Sequence, residues 1–84
     1  MDVLAEVKRI MSSISRIDVE ELESDIKIRE ELGVDSLMAM EIVATCEKRL
    51  DIHIDEGELY SVETIGDFEK LVLLLYGKKH GRSN

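Results

Sequence analysis

The sequence predicts an all-α domain: a small bundle of three main helices and one short helix, with a long loop between helix one and helix two. Three observations carry this. The chain has no proline and only five glycines in 84 residues, so little in it forces a break. Apolar residues make up 44% of it, which suits a single core at this length. Apolar positions also recur at the three-to-four spacing of a helix in three separate stretches.

The first stretch runs from about Asp2 to Ser15. Val3, Val7, Ile10, Met11 and Ile14 share one face, and Glu6, Lys8, Arg9, Ser12 and Ser13 the other. Asp2 favours the positive end of this helix. The connection from about Arg16 to Asp35 is too long to lack structure in a compact domain, and Val19-Glu20-Glu21-Leu22 suits a helical turn within it. Ile17, Ile26, Ile28, Leu32 and Val34 are its expected anchors, and Gly33 suits a backbone angle that other residues avoid.

The second main helix is expected from about Ser36 to Leu50. Leu37, Met40, Val43, Cys46 (or Thr45) and Leu50 form its inward stripe, with Ile42 on the flank; Met38, Glu41, Thr45 and Lys48 point outward. Asp35 or Ser36 accepts the orphan amide hydrogens of its first turn. Ile52-His53-Ile54 alternates like a strand but is too short to be one, and reads as an extended link. Glu56–Tyr60 forms the short helix, with Leu59 and Val62 inward. Thr64-Ile65-Gly66-Asp67 has the form of a capping box. It opens a last helix that buries Ile65, Phe68, Leu71, Val72 and Leu75 and stops near Gly77. Residues 1–77 then form one domain, and 78–84 a flexible basic tail.

Charge and composition exclude several function classes. The net charge is −8, and the stretch 78–84 holds three bases and no acid, so residues 1–77 carry nineteen acids against eight bases. Such a field repels nucleic acid and anionic membrane and attracts basic protein surfaces. No apolar run approaches the ~20 residues of a membrane span, and the first residues lack the pattern of a signal peptide; a cytoplasmic monomer is expected. One cysteine, Cys46, excludes an intrachain disulfide, and its place on the inward stripe makes it a core residue. Asp51–Gly57 loosely has the look of a calcium loop, but in either register a required acid or glycine is misplaced, so no metal site is expected.

The stretch of greatest interest is Leu32-Gly33-Val34-Asp35-Ser36-Leu37-Met38-Ala39-Met40-Glu41. A serine ahead of an apolar helix is ordinarily an N-cap. Its surroundings change that reading. Asp35-Ser36-Leu37, preceded by Leu32-Gly33 and followed by Glu41, resembles the phosphopantetheine attachment motif of acyl carrier proteins. The resemblance extends over about residues 3–76, through Leu50-Asp51-Ile52 and Thr64-Ile65-Gly66-Asp67. It implies that Ser36 carries 4′-phosphopantetheine, donated by coenzyme A through a phosphopantetheinyl transferase that recognises Asp35. A helix N-terminus suits the phosphodiester, because free amides and the helix dipole both favour an anion. The arm's thiol would hold acyl groups as thioesters for acyl-transferring and condensing enzymes. Docking would involve Leu37, Met38, Glu41 and, less centrally, Glu47, where charge gives fast and reversible encounter. A shelter for the acyl chain is expected among Leu37, Met40, Val43, Leu59, Val62, Ile65, Phe68 and Leu71.

Two departures from the family pattern qualify the pathway. Fatty-acid carriers usually place an acid directly after Asp-Ser-Leu, where this chain has Met38, a run more like polyketide carriers. Glu47-Lys48-Arg49-Leu50 puts two bases where fatty-acid carriers are commonly acidic, whereas Leu50-Asp51-Ile52-His53-Ile54 resembles free-standing bacterial carriers. The resemblance therefore implies a specialised stand-alone carrier in fatty-acid, polyketide or related biosynthesis. The chain is not expected to be an enzyme: a nucleophilic Ser36 needs a base within reach, and His53 lies roughly 20 Å along the helix at about 1.5 Å per residue. The competing reading is a non-carrier acidic helical module that keeps the fold without the arm and holds a partner on the same face.

Overall fold

A computed structural model describes residues 2–80. Four α-helices occur in it: α1, Val3–Ser15; α2, Ile28–Leu32; α3, Ser36–Leu50; and α4, Ile65–Lys79. Short 3-10 segments at Val19–Glu21 and Glu56–Ser61 interrupt the two longer connections. The three main helices, the turn near Val19 and the short helix after Asp55 stand where the sequence puts them. The five-residue α2 was not anticipated; the sequence reading leaves it inside the long loop.

Each main helix starts where a side chain satisfies orphan amides. Asp2 accepts from the Ala5 N–H at 3.2 Å and Asp35 from the Met38 N–H at 2.8 Å. At α4, Thr64 Oγ1 accepts from the Asp67 N–H at 3.1 Å while Asp67 Oδ2 accepts from the Thr64 and Glu63 N–H groups, both at 3.0 Å. Those backbone bonds, Thr64 first, hold the Asp67 carboxyl below the ordinary aspartate value. A group whose folded value is depressed stabilises above its unfolded value, and that contribution is lost as the pH falls through the lower folded one. Denaturation midpoints of wild type and Asp67→Asn should therefore differ most near neutrality and converge on acidification below the ordinary aspartate range.

One core joins the elements. Val7 and Met11 of α1, Leu22, Ile42, Cys46 and Leu50 of α3, and Ile65, Phe68 and Val72 of α4 are all buried in it. Val34, Ile52 and Ile54 pin the connections on either side of α3 to the same cluster. Glu6 adds a polar tie, since its carboxylate meets Arg9 at 3.0 Å and Arg49 of α3 at 3.1 Å. Arg9 and Arg49 together hold its carboxyl below the usual range. Arg49, one of the two bases that set this chain apart from the family pattern, thus has an internal partner.

The long connection is laced to the start of α4 by backbone bonds. Ile28 N–H donates to Glu63 O at 2.9 Å, Ile65 N–H to Ile26 O at 2.9 Å, and Gly66 N–H to Ser24 O at 2.8 Å. Gly66 permits this approach, because a Cβ there would stand 3.0 Å from Ser24 O and 3.2 Å from Ser24 Cβ. Alanine improves helix propensity by at most about 1 kcal/mol, whereas forcing packed atoms apart costs about 1–3 kcal/mol. Ser24 O is held by its own hydrogen bond, so Gly66→Ala should be a net loss, of about 1 kcal/mol in chemical denaturation.

At the other end the helix overruns its expected stop. α4 passes through Gly77 to Lys79, so the helix end expected near Gly77 is corrected. His80 stacks on Tyr76 with ring centroids 4.2 Å apart, and its Nε2 lies 2.9 Å from Leu50 O. Lys79 sits 3.8 Å from Asp51. These contacts hold the end of α4 against the end of α3 and offset the cost of a helical glycine. The rest of the expected tail, 81–84, lies outside the described residues.

Candidate functional site

The approach to α3 is built to present its first turn. Glu31 Oε1 accepts from the Lys27 N–H at 2.7 Å and steadies α2. Gly33 closes α2 in the left-handed conformation, φ +68°, as its position suggested. Val34 is buried and anchors the turn, after which the chain emerges at Asp35 and Ser36, both exposed. Sequence left open which of the two caps the helix; the carboxylate of Asp35 does so. Ser36 is the first helical residue, and its hydroxyl has no hydrogen-bond partner among the described residues. By contrast, Ser15, Thr45, Ser61 and Thr64 all use their hydroxyls locally.

The first turn also leaves donors free. Asp35 takes the Met38 N–H through its side chain and the Ala39 N–H through its carbonyl. The N–H groups of Ser36 and Leu37 have no protein acceptor among the described residues, and they sit at the positive end of a fifteen-residue helix. A phosphodiester on the Ser36 oxygen fits this environment: an exposed hydroxyl, two unpaired amides and a favourable dipole.

Around Ser36 the structure redraws the faces of α3. Leu37 is 75% and Met40 68% exposed, so neither belongs to the inward stripe or to a sheltered cavity lining. Met38, expected outward, is half-buried against the core. The buried line is Met38–Ile42–Cys46–Leu50, spaced by four, with Ala39 and Val43 flanking it. That unbroken four-residue run was the available signal for the correct face, and the three-residue spacing Leu37–Met40–Val43 masked it. Leu37, Met40 and Glu41 instead share one exposed face at three and four residue offsets. Leu37 and Met40 are therefore surface residues that sequence reasoning assigned to the interior.

Of the other expected cavity residues, Ile65 and Phe68 are solid core, and Val43, Leu59, Val62 and Leu71 pack half-buried against it. Two open grooves lie elsewhere, along α1, Ser24 and the start of α4. Glu47, expected among the docking residues, also has a local task. Its Oε2 accepts from the Ile54 N–H at 2.8 Å and lies 3.5 Å from His53 Nδ1, so it pins the link after α3.

Neither histidine serves Ser36. His53 bonds Asp55 at 2.9 Å, and His80 reaches Leu50 O, so both rings work beyond the far end of the fifteen-residue α3. Cys46 is fully buried, and burial pushes its thiol up to about 12.

Comparisons with known proteins agree with this geometry. Residues 5–72 match the family described as a phosphopantetheine attachment site. An acyl carrier protein of Sulfurovum sp. is 31% identical over 72 residues, 86% of this chain and 96% of that one. Polyketide-8 synthase acyl carrier protein 2 of Streptomyces avermitilis is 34% identical over 67 residues, 79% of this chain and 77% of that one. In 3-methylorcinaldehyde synthase of Sarocladium schorii the match is 38% over 61 residues, 73% of this chain but 2% of the synthase. The solution structure of a holo acyl carrier protein from Geobacter metallireducens superposes with a TM-score of 0.81 at 23% identity, covering 100% of this chain and 97% of that one. That likeness bears on the fold.

Proposed function

Because this chain belongs to the acyl carrier protein family, a family of carriers for fatty-acid or polyketide synthesis, we propose that Ser36 bears its 4′-phosphopantetheine. The observation that carries this is the hydroxyl of Ser36: exposed, unbonded among the described residues, first in its helix and inside the matched segment. Asp35 relieves it of capping, so modification breaks no native hydrogen bond. When attached, the arm supplies a thiol that holds acyl groups as thioesters. What the chain itself supplies is a rigid helix end, two free amides for the phosphate and a surface for partner enzymes. In this reading a phosphopantetheinyl transferase uses coenzyme A and recognises Asp35 as part of the exposed turn. Incubation with coenzyme A, magnesium and a broad-specificity transferase should add one phosphopantetheine, read by intact mass. No gain in mass, with a transferase active on another carrier, would sink the assignment.

The family works with synthase enzymes, and the exposed face beside Ser36 suits them. Leu37 and Met40 offer an apolar contact next to the arm, and Glu41 an acid for a basic patch. Since Leu37 is largely outside the core, Leu37→Ala should leave the melting temperature within a degree or two. It should lower kcat/KM of an acyl-loading partner about tenfold, the size of one lost interface anchor.

A further inference from the structure

Charge is divided along this chain. Residues 1–69 hold nineteen acids against seven lysines and arginines, whereas residues 70–84 hold Lys70, Lys78, Lys79 and Arg82 and no acid. The divide falls within α4 and marks the side of that helix turned from the core. Ile65, Phe68, Glu69 and Val72 are its buried residues. Lys70, Leu74 and Lys78 follow at four-residue steps on the opposite side, with Leu73 three residues on from Lys70. All four are exposed, Leu73 by 44% and Leu74 by 57%. Neither Lys70 nor Lys78 has an ion-pair partner among the described residues. The neighbouring acids are committed elsewhere. Asp67 accepts from the Glu63 and Thr64 N–H groups, Glu69 is buried 3.8 Å from the Lys8 ammonium, and Asp51 stands 3.8 Å from Lys79. Of the acids lining the cleft beside Lys70 and Leu73, only Asp25 has no such engagement.

We propose that this outer face of α4 docks an acidic amphipathic segment of a partner protein, at a surface that shares no residue with the one around Ser36. Lys70 and Lys78 stand eight residues apart, about 12 Å along the helix axis, with Leu74 midway between them. The complement is two carboxylates at that separation with apolar side chains between, which one face of an acidic helix presents. The lysines then supply direction and register, and the two leucines supply the apolar area removed from water. An anionic bilayer fits less well. The net charge of −8 opposes its approach, and two leucines make a narrow strip where an interfacial helix sinks a broad apolar face. Nucleic acid meets the same repulsion and leaves the leucines unused. A second copy of this chain would join by unlike surfaces, which extends into a file of molecules rather than closing as a dimer.

The probe is a capped helical peptide with two glutamates eight residues apart, leucines between them on the same face, and alanine and glutamine elsewhere. It is titrated into the full chain without its arm, at constant ionic strength, and followed by amide chemical shifts, so the outcome is independent of Ser36. Saturable shifts should centre on Lys70, Leu73, Leu74 and Lys78, with a dissociation constant on the order of 0.1–1 mM for so short a segment. Leu74→Ser, an exposed change, should weaken binding about fivefold. Lys70→Glu combined with Lys78→Glu should weaken it more than about tenfold. The same double variant should bind the counterpart peptide with lysines for glutamates, a rescue that a damaged fold cannot produce. Equal binding of both peptides by the wild type, no rescue, or shifts centred on Leu37, Met40 and Glu41 would each overturn the proposal. So would Leu74-dependent binding to vesicles of equimolar phosphatidylcholine and phosphatidylglycerol in place of the peptide. Shifts of the α4 face with protein concentration alone would assign it to a second copy and overturn it equally.

Discussion

Ser36→Ala should abolish phosphopantetheine incorporation and leave the fold untouched. The two halves of that expectation have different origins. Incorporation needs an oxygen at position 36, and alanine has none, so the loss should be complete rather than partial. Stability should stay within about 0.5 kcal/mol, the range of surface substitutions that break no special feature. Ser36 is exposed, makes no hydrogen bond among the described residues and leaves capping to Asp35. Alanine is also a good residue inside a helix. Intact mass and thermal melting on the same sample separate the outcomes. A variant that still gains the arm would move the site to another hydroxyl. A variant that melts much lower would make Ser36 a structural cap and weaken the carrier reading.

Asp35→Ala should do the reverse of this in stability. The lost cap costs about 1 kcal/mol, so its effect on the transferase has to be read against a melt. Asp35 and Ser36, adjacent in sequence, thus divide the work: Asp35 keeps the helix start, and the Ser36 hydroxyl is not needed for it.

What the sequence made legible was what depends on neighbours along the chain. The capping box Thr64–Asp67 and the left-handed Gly33 are settled within four residues and found where expected, Asp2 stands at the helix start it was read to favour, and of the two candidates at the start of α3 Asp35 is the cap. What it did not make legible depends on distant partners. α2 is five residues long, too short for periodicity to declare. Gly77 ends helices in isolation, but the contacts of Lys79 and His80 with Asp51 and Leu50 carry α4 past it. Glu69 looks like an ordinary surface acid until α1 is laid beside it. The face of α3 was the most consequential error, because two apolar stripes compete on that helix. Packing against α1 decided for the four-spaced one, and thereby moved Met40 to the surface and Met38 inward.

Leu22→Ala should be among the most destabilising single changes in this chain. Leu22 follows the first 3-10 segment and is 1% exposed, the deepest anchor of the connection between α1 and α2. Removing a buried leucine to alanine costs about 2–5 kcal/mol, depending on how far the site collapses. An 84-residue domain has roughly 4–13 kcal/mol in all. A loss of about 3 kcal/mol should lower the melting temperature on the order of 15 °C. The consequence extends beyond the core. Without its anchor the connection is held mainly by the bonds of Ser24, Ile26 and Ile28 to the start of α4, and it is this connection that delivers Gly33, Asp35 and Ser36 to the surface. Amide exchange at Ile26, Ile28 and Gly66 should therefore accelerate by more than the global loss of stability predicts, if the strap opens before the bundle does. Exchange that rises only in step with global unfolding would show that the loop and the helices behave as one unit. A melting temperature within two degrees of wild type would show that Leu22 is not an anchor at all.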